Sequence, residues 1–228
     1  MAYPVNSKCQ HGIDANVVAL WHMNEASWDG TPDEVKDASG NNLHGAAVGG
    51  VSTATGKFGR CGDFDGAGKY VATAFNPYTH IGNTNPFTVE FWVYLRSYVV
   101  DYSTIWSNDS SVPNRFYFHI RNTGNPFVGL GDYYTETSGV GITLNTWQYY
   151  VETYDGANIK VYLNAGTPWD SGNQGAKNYG DDEMNIGSIT ALSQRADGLI
   201  DEVRISDIAR SPENLYQHYH QQVGNHII

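Results

Sequence analysis

The 228-residue sequence has few basic residues, few cysteines and no long apolar runs. Its 13 Lys and Arg residues stand against 24 Asp and Glu residues, which gives a formal net charge of −11. Such a chain lacks the basic footprint of a nucleic-acid-binding protein, and it is not attracted to an anionic membrane surface. No stretch approaches the roughly 20 apolar residues that span a bilayer. We therefore expect neither a nucleic-acid partner nor insertion into a membrane.

The scarcity of cysteine limits metal and redox chemistry. The two cysteines, Cys9 and Cys61, could form one disulfide that ties the N-terminal arm to the domain, or they could be two buried thiols. No Cys/His cluster has the spacing of a zinc site. His218 and His220 lie two residues apart, which is a poor spacing for a shared metal on a helix, and we interpret them as surface residues.

The N-terminus also lacks the apolar run of a secretory signal peptide. Either the sequence is a mature form or the protein leaves the cell by another route, for example in a virus particle. The expected location is extracellular or on the surface of a virion.

What the sequence does contain is glycine, aromatic residues and short alternating segments. It has 25 glycines, 13% aromatic residues and only 16% charged residues, which is typical of many strands joined by tight turns. In one segment Val89, Phe91 and Val93 alternate with Glu90 and Trp92, as in a strand with one buried face.

These patterns predict an all-β fold, a two-sheet antiparallel β-sandwich with one short C-terminal helix. The helix is expected over 211–219, because Ser211 suits the N-cap and Pro212 the first turn. The predicted organisation is an N-terminal arm at 1–16, one domain at 17–220 and a tail at 221–228.

Three segments carry a family resemblance. They are the closing segment Gly198–Ser206, the Phe-Asp-Gly triplet at 64–66 and the hairpin around Asp155-Gly156. Together they resemble the laminin-G-like, concanavalin A-like lectin/glucanase superfamily over most of the chain, from about Val17 to Tyr219. The resemblance implies a jelly-roll sandwich. Its members include sugar binders, adhesion modules and accessory domains of enzymes.

The closing segment also suggests a metal site. Asp201 falls on the same face as Leu199 and Val203, and a carboxylate on an apolar face is costly unless a cation or several donors satisfy it. Calcium binds such oxygens, although an Asp at the sheet rim, bonded to backbone N–H groups, is the alternative. The resemblance places the opening strand beside the closing one. It therefore implies a structural calcium ion held by Asp201 with Asn24 and Glu25.

Asp37 and Asp63 are weaker candidates for the same calcium ion. Backbone carbonyls would have to complete its 6–8 oxygen ligands.

Aromatic and polar side chains provide the materials of a glycan-binding face. Aromatic rings stack on the apolar faces of sugar rings, and polar groups bond the hydroxyls. The predicted ligand-binding residues are Glu90, Trp92, Tyr94, Arg115, Tyr117, His119, Tyr150 and Glu152. Loop residues that could contribute are Tyr98, Tyr102, Tyr133, Tyr134 and Trp169. The same residue types are enriched at protein interfaces, so both a glycan and a protein surface remain open as partners.

Catalysis is the less favoured interpretation. Glu90 and Glu152 could face the same side of neighbouring strands, at the separation that retaining glycosidases use. However, the glucanases that the chain resembles carry their acids on one strand as Glu-x-Asp-x-(x)-Glu, and the sequence has no such run. The Gln-Ile-His triplet of similarly folded alginate lyases and the Gly-x-Ser-x-Gly elbow are also missing.

We therefore predict a non-catalytic binding or adhesion module. One alternative is a structural or decoration component of a virus particle or cell surface, which could form a homo-oligomer or join a larger assembly. The other is a glycoside hydrolase or lyase that uses Glu90 and Glu152.

Overall fold

The computed structural model describes residues 10–108, 114–189 and 193–224. Cys61 is buried and forms no disulfide with another described residue, and burial raises the pKa of its thiol to about 12. Cys9 lies outside the described residues, and so does the predicted disulfide. No described helix has both the length and the apolar character needed to cross a membrane.

The described residues form fifteen strands and two helices. The strands are β1 (Val17–Trp21), β2 (Gly45–Val48), β3 (Ser52–Thr55), β4 (Arg60–Asp65), β5 (Tyr70–Thr73), β6 (Phe87–Ser97), β7 (Tyr102–Ser107), β8 (Arg115–Arg121), β9 (Pro126–Gly131), β10 (Tyr133–Glu136), β11 (Gln148–Tyr154), β12 (Ile159–Leu163), β13 (Trp169–Asp170), β14 (Asn185–Ile186) and β15 (Asp197–Ser206). The helices are α1 (Pro77–His80) and α2 (Pro212–Val223).

The strands form two antiparallel sheets that pack face to face, so the predicted β-sandwich is confirmed. Sheet A has the order β13-β12-β11-β6-β15-β4-β3, with β1 also paired to β15. Sheet B has the order β10-β9-β8-β7-β14-β5-β2. Aromatic residues join the sheets in the core, where the ring centroids of Phe91 and Phe118 lie 5.1 Å apart and those of Phe87 and Phe116 lie 5.0 Å apart.

Helix α2 covers the outer face of sheet A. Its Ser211 side chain accepts a hydrogen bond from the Asn214 backbone N–H at the N-cap, and Gly224 ends the helix with a left-handed φ of 79°. The predicted helix is confirmed, but it runs to Val223 and so passes the expected domain boundary at residue 220. A second apolar cluster lies beneath it. The buried members of this cluster are Phe58, Trp92, Tyr149, Val151, Tyr162 and Leu215.

The described part of the N-terminal arm packs on the same face of sheet A. The His11 backbone N–H donates to Glu202 Oε2 at 2.7 Å, and Arg204 Nη1 donates to the Gly12 carbonyl at 3.1 Å. Asp14 pairs with Arg210 at 2.9 Å. Residues 10–14 are therefore part of the folded domain.

A β-bulge in β15 changes which side chains face the core. Glu202 has a φ of 54°, and the register with β6 shifts by one residue between Asp201 and Arg204. Ile200 and Val203 consequently both belong to the core, while Asp201 lies opposite Trp92 on the outer face of sheet A. The prediction that Asp201 shares the apolar face with Val203 was wrong, because the bulge interrupts the alternation.

Candidate functional site

The structure distributes the eight predicted ligand-binding residues over three places. Three lie on the outer face of sheet A, two in the core between the sheets, and three on the outer face of sheet B. In that order they are Glu90, Trp92 and Tyr94; Tyr150 and Glu152; and Arg115, Tyr117 and His119.

The register of β11 on β6 explains this division. Glu152 pairs with Val89, and Val151 pairs with Glu90. Because side chains alternate along a strand, a one-residue offset places the two glutamates on opposite faces of the sheet.

Glu90 is fully buried beneath α2 in a network of partners. Arg204 Nε donates to Glu90 Oε1 at 3.0 Å, the Tyr149 hydroxyl donates to Oε2, and His218 Nδ1 lies 3.1 Å from Oε2. Burial alone would raise the pKa of Glu90, but the Arg204 guanidinium and His218 hold it well below its usual range. His218 is thus a partly buried partner of Glu90, and the prediction that it is a surface residue was wrong.

Trp92 and Tyr94 are also occupied by protein contacts. Trp92 is buried, its indole N–H donates to Gln222 Oε1 at 2.9 Å, and its ring stacks on Tyr219 at 5.9 Å. Tyr94 is half-buried against Trp147, with ring centroids 5.8 Å apart. Trp92 therefore anchors α2, and its ring is not accessible to a ligand.

Glu152 is fully buried in the core, where neither carboxyl oxygen has a hydrogen-bond partner among the described residues. Burial raises its pKa well above the usual range, so the carboxyl is protonated and neutral. Glu90 and Glu152 thus lie on opposite faces of one sheet, and both are out of reach of substrate. The glycosidase alternative built on this pair was wrong.

Asp201 and Asn24 both contact the loop 56–60. Asp201 Oδ2 accepts a hydrogen bond from the Phe58 backbone N–H at 3.0 Å, and Asn24 Oδ1 accepts one from the Arg60 backbone N–H at 2.8 Å. Asp201 Oδ1 is buried and accepts no hydrogen bond from any residue that the structure describes. Burial raises the pKa of Asp201 to about 8.

The other predicted calcium ligands have different partners. Glu25 accepts hydrogen bonds from the Trp28 indole N–H and the Lys36 backbone N–H. Asp37 accepts hydrogen bonds from the Leu20 and Leu43 backbone N–H groups, among others. Asp63 forms an ion pair with Arg96 at 2.8 Å. No group of three or more His, Cys, Asp or Glu residues in the described ranges is placed to hold a metal ion. Asn24 and Asp201 thus both contact the loop 56–60, whereas Glu25 has other partners. Calcium, with Asn24, Glu25 and Asp201 as its ligands, stays a prediction.

The outer face of sheet B carries a cluster of aromatic rings, which we call the aromatic platform. Tyr102, Tyr117, Phe127 and Tyr134 come from the adjacent strands β7, β8, β9 and β10. The rings of Tyr117 and Phe127 are nearly parallel, at 10° and 6.0 Å, and Phe127 contacts Tyr102 at 5.1 Å and Tyr134 at 5.9 Å. The platform is thus one connected group of rings on the surface of the sheet.

Gly129 allows one of these rings to lie flat. It pairs with Tyr117 on the neighbouring strand, and a Cβ at this position would come within 2.3 Å of the tyrosine ring. Tyr117 therefore lies across the β9 backbone and remains partly exposed, and burial raises the pKa of its hydroxyl.

Basic side chains from β8 stand among the rings. The guanidinium of Arg115 lies 4.3 Å from the ring centre of Tyr134, and that of Arg121 lies 5.3 Å from the ring centre of Tyr102. His119 is only 3% exposed and contacts the Tyr117 ring at 4.3 Å. Burial lowers the pKa of His119 to about 3, so its imidazole is neutral at physiological pH.

Three of the four platform rings, those of Tyr102, Tyr117 and Tyr134, were predicted from the sequence as ligand-binding candidates. Four residues that were expected in loops lie in strands: Tyr102, Tyr133, Tyr134 and Trp169. Phe127 and Arg121 were not among the predicted residues. The alternation Arg115-Tyr117-His119 continues to Arg121, which was a usable signal. The remaining aromatic candidates, Tyr98, Tyr133 and Trp169, are half-buried against the core.

Comparisons with known proteins agree with this fold. The family model described as the concanavalin A-like lectin/glucanases superfamily matches residues 65–215. No curated protein matches the sequence significantly. Domain 4 of AbnA, an extracellular GH43 arabinanase from Geobacillus stearothermophilus, solved in complex with arabinotriose, superposes with a TM-score of 0.70 at 18% identity, covering 90% of this chain and 98% of that domain.

Two toxin domains have similar structures. The receptor-binding domain of botulinum neurotoxin C/D mosaic serotype gives a TM-score of 0.70 at 17% identity, and the binding domain of Paraclostridial Mosquitocidal Protein 1 gives 0.69 at 15%. The two matches cover 91% and 90% of this chain, respectively. This chain spans only about half of each toxin domain, 52% in both cases. Because the family model matches most of the chain and the strands form the expected sandwich, the protein belongs to the concanavalin A-like lectin/glucanase superfamily.

Proposed function

We propose that the protein is a non-catalytic, extracellular carbohydrate-binding module whose ligand lies on the aromatic platform of sheet B. The observation that carries this proposal is the flat Tyr117 ring, which lies across Gly129 nearly parallel to Phe127 and beside the exposed Tyr134. A flat, partly exposed ring can stack on the apolar C–H face of a sugar, while its hydroxyl and nearby polar groups bond the sugar hydroxyls.

Two further observations support a binding role. The outer face of sheet A is covered by α2, whereas the platform on sheet B retains partly exposed rings. Domain 4 of the arabinanase, which matches over almost its whole length, was solved with arabinotriose. Shared fold at 18% identity does not transfer that ligand, but it supports a saccharide as the ligand class.

The absence of catalysis is part of the proposal. Glu90 is held by Arg204 and His218, and Glu152 is a neutral carboxyl in the core, so neither is placed to act on a bound sugar. The role of decoration component on a virus particle or cell surface stays a prediction, and a module of this kind would be compatible with it.

The test compares two tyrosines of equal exposure. Tyr134 on the platform is 53% exposed, and Tyr78 on α1 is 50% exposed, so Tyr134→Ala and Tyr78→Ala should disturb the fold to a similarly small extent. A glycan array with wild type identifies a ligand, and calorimetry then gives its Kd. We expect Tyr134→Ala and Tyr117→Ala to weaken binding about tenfold, equivalent to about 1.4 kcal/mol, and Tyr78→Ala to leave it unchanged.

Two results would contradict the proposal. One is a ligand whose affinity is unaffected by Tyr117→Ala and Tyr134→Ala. The other is cleavage of the bound saccharide by wild type, seen as new reducing ends or new double bonds in the product.

A further inference from the structure

Strand β8 directs a basic or aromatic side chain outward at every second residue. Arg115, Tyr117, His119 and Arg121 all lie on the outer face of sheet B, with Phe116 and other apolar residues on the core side. Within the described part of the chain, three of the four outward residues contain a buried nitrogen without a hydrogen-bond partner: Arg115 Nη1, His119 Nδ1 and Arg121 Nε. Buried polar atoms in native proteins are nearly always paired, so three such atoms on one strand face call for an explanation.

The unsatisfied groups on this face include two that can only donate. A guanidinium carries donors and no acceptor. The nearest acidic residue of the platform strands is already engaged, since Glu136 accepts hydrogen bonds from Arg121 Nη1 at 2.9 Å and from Asn125 Nδ2 at 3.0 Å. Asp132, in the turn before β10, pairs with Lys177 at 2.8 Å. The listed nitrogens are buried, so a ligand on this face would meet the exposed part of the Arg115 guanidinium, which can only donate, and such a ligand must bring acceptors.

Arg115 is the most informative of these residues. The chain has 24 acidic residues for 13 basic ones, yet Arg115 forms no ion pair with any described residue. Its guanidinium instead stacks on Tyr134 and stays partly exposed. Stacking fixes the plane of the guanidinium, and a fixed planar fork matches the two oxygens of a carboxylate.

We propose that the aromatic platform selects acidic saccharides, with Arg115 binding the carboxylate of a uronic acid while the sugar ring stacks on the neighbouring tyrosines. This inference rests on the proposed carbohydrate-binding function and assigns its ligand class. Arg115 and Tyr134 form one unit, because the same stack that orients the guanidinium places an exposed ring beside it.

The net charge of −11 opposes an acidic ligand only at long range. At physiological ionic strength the screening length is about 8 Å, so charges elsewhere on the surface contribute little at the platform. Contact with Arg115 at short range therefore decides the preference, and affinities should be compared at one fixed ionic strength.

The experiment uses pairs of saccharides that differ only in charge. Oligomers of glucuronate, galacturonate and mannuronate are titrated into the protein by calorimetry, each beside its carboxyl-reduced counterpart. We expect at least one acidic oligomer to bind wild type ten or more times more tightly than its reduced form. Arg115→Gln should weaken binding of the acidic form about tenfold more than binding of the reduced form, whereas Tyr134→Ala should weaken binding of both forms to a similar extent.

Lys36→Gln is the matched control, because Lys36 is exposed outside the platform and its loss changes the net charge by the same amount. Thermal melting of Arg115→Gln checks that the variant is folded. Equal binding of acidic and reduced forms, unaffected by Arg115→Gln, would overturn the acidic preference and leave the proposed function standing. Failure of wild type to bind any saccharide, charged or neutral, would overturn the proposed function itself.

Discussion

Glu90 and Glu152 are both fully buried, yet their protonation states differ. Burial disfavours the charged form of each carboxyl. Arg204 and His218 compensate Glu90, which stays ionised, whereas Glu152 has no partner and takes up a proton. The partners of each carboxyl, and not the extent of burial, decide which of them keeps its charge.

This difference predicts that Glu152 makes stability depend on pH. Its pKa is raised in the folded state, so folding binds a proton, and the free energy of unfolding falls by about 1.4 kcal/mol per pH unit between the unfolded pKa near 4.3 and the raised folded pKa. Glu152→Gln removes the ionisable group at nearly the same volume. We expect the variant to be more stable than wild type at pH 7, by on the order of 1–3 kcal/mol, and similar to it near pH 4.

Denaturant unfolding at several pH values measures this difference. Glu183→Gln is the control, because Glu183 is exposed, and its pH profile should follow that of wild type. If Glu152→Gln had the same pH slope as wild type, Glu152 would have to be ionised in the folded protein.

At the scale of single elements, the alternation of apolar and polar residues predicted most strands. It did not predict the buried face of a strand where that face depends on pairing with a neighbouring strand. The faces of β6 were predicted correctly from its own residues, because Val89, Phe91 and Val93 lie in the core. The inward face of β11 was not predicted correctly. It depends on whether Tyr149 or Tyr150 lies opposite the core residue Phe91, and only the register of β11 on β6 determines this pairing. The bulge at Asp201 and Glu202 also left no periodic signal, since a single positive φ is a property of the backbone.

We expect one buried side chain of helix α2 to contribute strongly to the stability of the protein. Leu215 is fully buried in the cluster with Trp92 and Tyr149. Leu215→Ala leaves a cavity there and should lower the free energy of unfolding by about 2–4 kcal/mol. Detachment of the helix should also shift the emission of Trp92 towards that of a solvated indole.

Gln217→Ala on the same helix is the control for this effect. Gln217 is exposed and bonds only Glu213 on the neighbouring turn, so we expect a change within about 0.5 kcal/mol. Ala has a higher helix propensity than either Leu or Gln, so propensity cannot explain a loss. A loss for Leu215→Ala no larger than that for Gln217→Ala would show that packing of Leu215 against sheet A contributes little.

For the whole molecule, the sandwich followed from composition, alternation and family resemblance, whereas the exposed surface did not. Trp92 and Tyr117 look equally suitable for sugar binding in the sequence, but α2 and the arm cover one sheet, and the rings on the other stay partly exposed. The position of a terminal helix on a sheet depends on contacts between residues more than 100 positions apart, such as Trp92 with Gln222. Such contacts have no local signature.

Calcium binding is the remaining prediction for the whole molecule. Asp201→Asn tests it, because the substitution should lower the melting temperature if calcium is bound and raise it if calcium is absent. If calcium binds Asp201 with Asn24 and backbone carbonyls, EDTA lowers the melting temperature of wild type, and Asp201→Asn lowers it and removes the response. Without calcium, Asp201 is a buried carboxyl whose pKa of about 8 reduces stability as the pH rises from about 4 to 8. Asp201→Asn would then raise the melting temperature at pH 7, and EDTA would have no effect. Metal analysis of the purified protein accompanies both melts, and the second pattern without bound calcium would refute the site.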